Sequence, residues 1–365
     1  MGVYRAFRDG GARQGMSNRP GELRHAFDGD RLWEWLHPSV SDITRAVPIA
    51  QFDAGQSNPT YLIDAGSRKL VLRRKPPGAL LPSAHAVERE FRIMRALAGT
   101  AVPVPACLAL CEDPEVIGSA FYVMEYVEGR IFRDPTLPSV ARDERAAIYA
   151  EMNRVIAELH SIDPNTVGLG DYGRAGNYIQ RQVQRWTTQY RAAQTEVIPA
   201  MDRLIEWLPQ HIPPGDETRI VHGDYRIDNV IFDPREPRIR AVLDWELSTL
   251  GHPLADFAYH CLIWYRSPDI HQGMRGLDLP ALGIPAVRDY LEAYCRRLGR
   301  EPLAAEHWEY YLVFNMFRLV GILQGVAARA LQGNASSTLA AKMGSGARPL
   351  AEEAWRRVEA MGAGL

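Results

Sequence analysis

The sequence predicts an α+β protein of two lobes, a small antiparallel-sheet lobe followed by a larger helical lobe that carries a short hairpin of its own. Three observations point there. Strand-like runs separated by turn residues gather at 49–52, 60–63, 70–73 and 121–127. Amphipathic helical patterns dominate from residue 140 onward. Three short extended runs, at 218–221, 229–232 and 239–243, interrupt them with polar turns between.

The chain has 365 residues, 46% hydrophobic and 24% charged, enough for two ordinary cores. With 42 basic and 44 acidic side chains the formal charge is -2, so no global basic field exists to hold a polyanion, and nucleic acid is not an expected partner. Four cysteines, at 107, 111, 261 and 295, form neither a disulfide framework nor a paired zinc pattern, which points to a reducing, cytoplasmic compartment. No run approaches about eighteen consecutive apolar residues, so no membrane is expected either.

Residues 1–40 read as an N-terminal extension, rich in Gly and Arg, and a leading helix in which Leu32, Trp33 and Leu36 share one face. Residues 41–126 read as the first lobe and 127–365 as the helical one. Within the first, Asp64-Ala65-Gly66-Ser67 has the composition of a hairpin turn joining the second and third strands. The small, polar segment Asp53-Ala54-Gly55-Gln56-Ser57-Asn58-Pro59 joins the first and second. Such a loop can offer backbone N–H groups to a phosphate or be an ordinary turn. Residues 84–98 form a helix with Val87, Phe91, Met94 and Leu97 in a stripe, and Glu90 lies inside it. A carboxylate turned inward needs a cation, and Arg73, Arg74 and Lys75 on the third strand are the candidates. A lobe boundary falls where Phe121–Val127 runs into Glu128-Gly129. Beyond it, 140–160 and 177–208 read as helices, and Pro253 opens the helices of the C-terminal part.

The chemistry concentrates in His222-Gly223-Asp224-Tyr225-Arg226-Ile227-Asp228-Asn229, between apolar runs, and in Asp244-Trp245-Glu246 after the next run. A hairpin would bring Asp224, Asn229 and Asp244 to one edge. Asn and Asp side chains are hard oxygen ligands suited to Mg²⁺, with one carboxylate left over as a base. The pattern H-x-D-x-x-x-x-N with a downstream Asp is that of the protein-kinase catalytic loop and its metal-binding aspartate.

On these residues, and on the long run from Val242 through Leu250-Gly251-His252-Pro253-Leu254-Ala255-Asp256-Phe257-Ala258-Tyr259, the sequence resembles the aminoglycoside phosphotransferase and choline kinase family over residues 40–330. It looks most like the kinase-like domains attached to some acyl-CoA dehydrogenases. The resemblance implies the two-lobed protein-kinase-like fold, with ATP and Mg as cofactors. It implies that Asp224 takes the acceptor hydroxyl's proton and that Asn229 and Asp244 hold magnesium, with Glu246 a possible further metal contact. Gly55, Gln56, Ser57 and Asn58 match the phosphate-covering loop, and Glu90 the helix carboxylate paired with a strand-three cation. Glu125 and Val127 flank the connector against which adenine would lie, while His222 and Asp256 would brace the loop. Two departures stand out: Arg73 occupies the position that is lysine in many kinases, with Lys75 the alternative, and the loop at 53–59 lacks a full G-x-G-x-x-G.

The acceptor is expected to be a small molecule bearing a hydroxyl. Arg181 and Arg185, four apart, hint at an anionic one such as a hydroxy acid or hydroxyacyl-CoA, although Asp171, Asp202, Glu206, Asp269 and Asp278 lie in the same lobe. A nucleotide-binding pseudokinase and, on His222, Asp224, Asp228 and Asp244, a metal-dependent hydrolase remain the alternatives. Oligomeric state is not legible.

Overall fold

The computed structural model describes residues 23, 26–52, 58–76, 85–268, 273–331 and 344–362. By its contacts the chain falls into two compact units: residues 1–159, 165–169 and 226–248 form the first, and 160–164, 170–225 and 249–365 the second. The α+β character, with a five-stranded antiparallel sheet and many helices, matches the sequence reading.

In the first unit the strands β1 (Val47–Gln51), β2 (Thr60–Asp64), β3 (Lys69–Arg74), β4 (Cys107–Cys111) and β5 (Phe121–Glu125) make one sheet in the order β1-β2-β3-β5-β4. The β2–β3 hairpin forms where its turn residues predict. Asp64 Oδ1 accepts from the Gly66 N–H at 2.9 Å, and Gly66 adopts φ +85°, a left-handed conformation that a side chain would resist. Strand alternation then sorts the side chains. Tyr61, Ile63, Leu70, Leu72, Phe121 and Val123 bury one face against Leu32 and Leu36 of α1 (Gly29–Leu36). Arg73 pairs across the ladder with Tyr122 and faces the other way, toward α2 (Val87–Leu97), whose Phe91 ring lies 6.2 Å from that of Tyr122. Strand β4 escaped the sequence reading because Cys-Leu-Ala-Leu-Cys has neither β-branched residues nor a clear alternation.

The short α3 (Pro114–Ile117) joins β4 to β5, and after α4 (Arg142–Ser161) this unit adds two further strands, β7 (Val230–Phe232) and β8 (Ile239–Val242), an antiparallel hairpin. A bond from the Val242 N–H to the Pro103 carbonyl, 2.8 Å, ties the hairpin to the chain ahead of β4. Arg130 and Phe232 exchange backbone bonds of 2.8 Å, so the backbones meet closely at Gly129, where a Cβ would stand 2.1 Å from the Phe232 oxygen.

The second unit is built on α10 (Ala305–Leu331), which packs on α5 (Tyr178–Ala192), α7 (Pro253–Tyr265) and α11 (Ala347–Gly362). Helix α10 is long and apolar enough to cross a membrane, yet 72% of its most apolar window is buried within the protein, as befits a core helix. The helical stretch predicted over 177–208 divides at residues 193–198. Pro199 then starts α6 (Pro199–Trp207), because a proline is tolerated in the first turn but not within a helix. Helices α8 (Leu279–Leu282) and α9 (Val287–Arg297) precede α10, and β6 (Arg219–Val221) pairs with β9 (Thr249–Gly251).

Candidate active site

In the first unit the chemistry gathers on Arg73. The last turns of the β3 ladder carry it to the α2 face of the sheet, where Glu90 projects from the helix's apolar stripe. Arg73 Nε lies 3.0 Å from Glu90 Oε2, and Arg73 Nη2 is 2.9 Å from Asp244 Oδ1 and 3.5 Å from Glu246 Oε2. Glu90 is held from two further sides: the Tyr122 hydroxyl donates to Oε2 at 3.2 Å and the Asn58 amide to Oε1 at 2.9 Å. His85, at φ 60°, meets Asn58 Oδ1 at 3.1 Å. Lys75, by contrast, pairs with the outward Glu88 at 2.9 Å. Arg74 donates to the Ser119 hydroxyl at 2.9 Å, so of the three cations weighed from the sequence Arg73 is the partner of Glu90.

Three carboxylates thus share one buried guanidinium. Burial alone would lower the Arg73 pKa, but Glu90 and Asp244 outweigh it and hold it above the ordinary value, so the arginine stays charged. For Glu90 burial wins: it pushes the carboxyl up to about 7, with Arg73 opposing and Asp244 and Glu246 adding to the rise. A local excess of negative charge of this kind calls for a second cation.

Asn229 and Asp244 are neighbours in this unit. The Leu243 N–H donates to the Asn229 carbonyl at 2.8 Å, which continues the β7–β8 ladder by one step and puts Asn229 opposite the residue before Asp244. Asp244 adopts φ 64°, ψ 58°, a left-handed conformation uncommon for a residue with a side chain and one that recurs at functional sites. Glu246 follows in a short 3₁₀ turn, Trp245–Leu247, with Trp245 buried beneath and its indole N–H on the Val242 carbonyl at 3.0 Å. Among the described residues no three His, Cys, Asp or Glu side chains form a self-sufficient metal cage. Two carboxylates beside a single guanidinium, with an asparagine opposite the residue before one of them, do fit Mg²⁺, which takes few protein oxygens and completes its shell with water and phosphate.

The loop before these residues belongs to the second unit up to Tyr225. Asp256, on the first turn of α7, accepts from the N–H groups of His222 at 2.7 Å and Gly223 at 2.8 Å, and faces His160 Nε2 at 3.1 Å. Burial alone would raise its carboxyl, but the bonds and charges of His160 and His222 hold it below the usual carboxylate range. Gly223 sits at φ +82°. His222 is fully buried, and its Nδ1 accepts from the Asp224 N–H at 3.2 Å. Asp224 itself is half-buried, and Tyr259 Oη donates to its Oδ1 at 2.9 Å.

The sequence profile of a phosphotransferase enzyme family, that of the aminoglycoside phosphotransferases, matches residues 48–308. The chain belongs to this phosphotransferase family. The family's protein-kinase-like fold is shared with a candidate aminoglycoside phosphotransferase of Ralstonia eutropha, whose crystal structure aligns at a TM-score of 0.84 and 51% identity, over 92% of this chain and 99% of that one. A spectinomycin phosphotransferase in complex with ADP and spectinomycin shares the fold alone, at a TM-score of 0.59 and 14% identity over 90% of this chain and 98% of that one. Acyl-CoA dehydrogenase family member 10 of Mus musculus is 50% identical over 93% of this chain, and member 11 of Homo sapiens 43% identical over 90%. The phosphotransferase spans only 32% and 43% of those two proteins' own lengths.

Of the residues singled out from the sequence, the structure joins Asn58, Arg73, Glu90, Asp244 and Glu246 in one network and pairs Asn229 with Leu243, the residue before Asp244. Glu125 ends β5 and accepts from the Ala106 N–H at 3.0 Å, and Val127 is buried two residues on. Gly55, Gln56 and Ser57 lie outside the described residues. Two of the acidic candidates in the second unit are engaged locally: Asp202 pairs with Arg191 at 3.4 Å, and Asp278 caps α8. The sequence reading missed Tyr122, His85 and His160. Nothing local marks them, since Tyr122 is 32 residues from Glu90, and His160 is 96 from Asp256.

Proposed function

We propose that this phosphotransferase moves the γ-phosphoryl group of Mg·ATP to a hydroxyl of a small molecule. The observation that carries the reading is the buried Arg73, which binds Glu90 with one edge of its guanidinium and Asp244 and Glu246 with another. That arrangement ties strand, helix and metal-type carboxylates together as phosphoryl transfer requires, because the protein's contribution is mainly positioning and charge neutralisation. Asn229 and Asp244, with Glu246 as a further contact, would hold magnesium. When bound, the ion neutralises charge that develops on the phosphates.

Asp224 orients the acceptor hydroxyl and receives its proton as the oxygen attacks phosphorus. His222 and Asp256 fix the backbone from which Asp224 projects. Arg73 meets the phosphates as well as Glu90, using the several donors of its planar fork. Gly55, Gln56, Ser57 and Asn58 are assigned to the phosphates by the family resemblance, and the chain from Glu125 to Val127 to the adenine. The acceptor is read as a hydroxy acid or its CoA thioester rather than an aminoglycoside. Support comes from the acyl-CoA dehydrogenase names of the relatives and from Arg181 and Arg185 on one face of α5. A cytoplasmic location fits the four free thiols.

The test is Mg·ATP-dependent ADP release against hydroxy acids, their CoA thioesters, choline, homoserine, sugars and aminoglycosides, with Asp224→Asn alongside. Acceptor-stimulated ADP formation that the substitution lowers about 100- to 10,000-fold is expected. ATP binding without turnover on any acceptor would leave a nucleotide-binding module, and absence of ATP binding would end the kinase reading.

A further inference from the structure

We propose that Tyr259 and Arg318 are positioning residues for Asp224, setting the plane of its carboxylate toward the acceptor hydroxyl. The inference rests on the phosphotransferase reading above. Helix α7 lays Asp256 and the residues three and four after it, Tyr259 and His260, onto four successive loop residues. Asp256 takes the N–H groups of His222 and Gly223, and His260 Nδ1 faces the Tyr225 carbonyl at 3.2 Å. These two act on backbone. Tyr259 between them meets the side chain, its hydroxyl donating to Asp224 Oδ1 at 2.9 Å.

Arg318, from the middle of α10, closes the arrangement. Its Nη2 donates to the Gly223 carbonyl at 2.9 Å, and its guanidinium lies 4.8 Å over the Tyr259 ring and 5.8 Å over that of Trp186. The residue is 8% exposed. Burying a guanidinium is costly, and among the described residues this one donates to a carbonyl and lies over two ring faces, a set that adds little stability but fixes a ring and a peptide together. Asn315, one turn earlier, bonds the Ala255 carbonyl at 2.8 Å and keeps α10 in register with α7. A carboxylate with one oxygen tied to a phenol, whose ring is clamped in turn, cannot swing freely about its Cβ–Cγ bond. The geometry of the other oxygen is thereby fixed, and misplacement of a base by a fraction of an ångström is expensive in rate.

Tyr259→Phe removes the hydroxyl and keeps the ring. With 3-hydroxybutyrate, 3-hydroxybutyryl-CoA or water as acceptor, whichever gives the fastest Asp224-dependent ADP formation, kcat is expected to fall about 10- to 100-fold while KM for ATP changes less than about 2-fold. Thermal unfolding should stay within about 2 °C of the parent protein. Arg318→Lys, which keeps the charge but loses the flat fork, should lower kcat about 10-fold. The deciding measurement is the cycle with Asp224→Asn: if Tyr259 acts through Asp224, Tyr259→Phe costs less than about 2-fold in that background. Equal losses in both backgrounds, or full activity of Tyr259→Phe, would overturn the inference and leave the kinase reading standing. Lack of Asp224-dependent turnover with every acceptor would remove both.

Discussion

Asp256→Asn changes one oxygen for an amide group at a site where three donors converge. Oδ2 accepts from the His222 N–H at 2.7 Å and faces His160 Nε2 at 3.1 Å, while Oδ1 accepts from the Gly223 N–H at 2.8 Å. With the amide oxygen in the Oδ2 position, the new NH₂ confronts the Gly223 N–H and leaves it orphaned. The opposite rotamer orphans the His222 N–H instead. A hydrogen bond to a charged acceptor is worth about 1.5–3 kcal/mol, and a buried orphan costs about 1–3 kcal/mol. Relief of the carboxylate's own burial returns part of this, so a net loss of about 3 kcal/mol is expected. Urea unfolding of the full chain reads the stability. Mg·ATP turnover reads the loop, and should fall with it because His222 and Gly223 precede Asp224 directly. A stability change below about 1 kcal/mol with full turnover would refute the claim that this carboxylate holds the loop.

Arg73→Met leaves Glu90, Asp244 and Glu246 without their guanidinium; a loss of about 3–5 kcal/mol is expected, and added Mg²⁺ should stabilise this variant more than the parent in thermal unfolding, equal stabilisation being the contrary result. Burial pushes His252 and His260 each down to about 4 from 6.5. Both stay neutral in the folded protein while the unfolded chain takes up protons first, so stability falls as pH drops from about 6.5 toward 4, by about 3 kcal/mol in total at pH 5.5. Urea midpoints at pH 7.5 and 5.5, with His252→Gln and His260→Gln expected to flatten the difference, check this, and a parent protein insensitive to pH over that range would contradict it.

Much of the fold was legible because its signals are local. The β2–β3 turn, the α2 stripe with Glu90 inside it and the hairpin carrying Asn229 and Asp244 all declare themselves within about fifteen residues. Boundaries were less so, as at the break before Pro199, where apolar periodicity continues across the gap between two helices. Strand β9 was invisible for a related reason: it is three residues long, and exists because β6 offers unpaired backbone groups.

The candidate site divides in the same way. The residue types and their spacing, H-G-D-x-x-x-x-N followed by D-W-E, were fixed by the sequence alone, since that chemistry needs particular atoms close together along the chain. Which cation meets Glu90 was open among Arg73, Arg74 and Lys75, and pleat direction together with α2 packing chose Arg73. The partners that hold the catalytic-type residues, Tyr122 and Asn58 for Glu90, His160 for Asp256 and Tyr259 and Arg318 for the Asp224 loop, are separated from them by between 32 and 96 positions. A buried charge must find its bonds wherever the packed chain supplies them, and only tertiary structure says where that is.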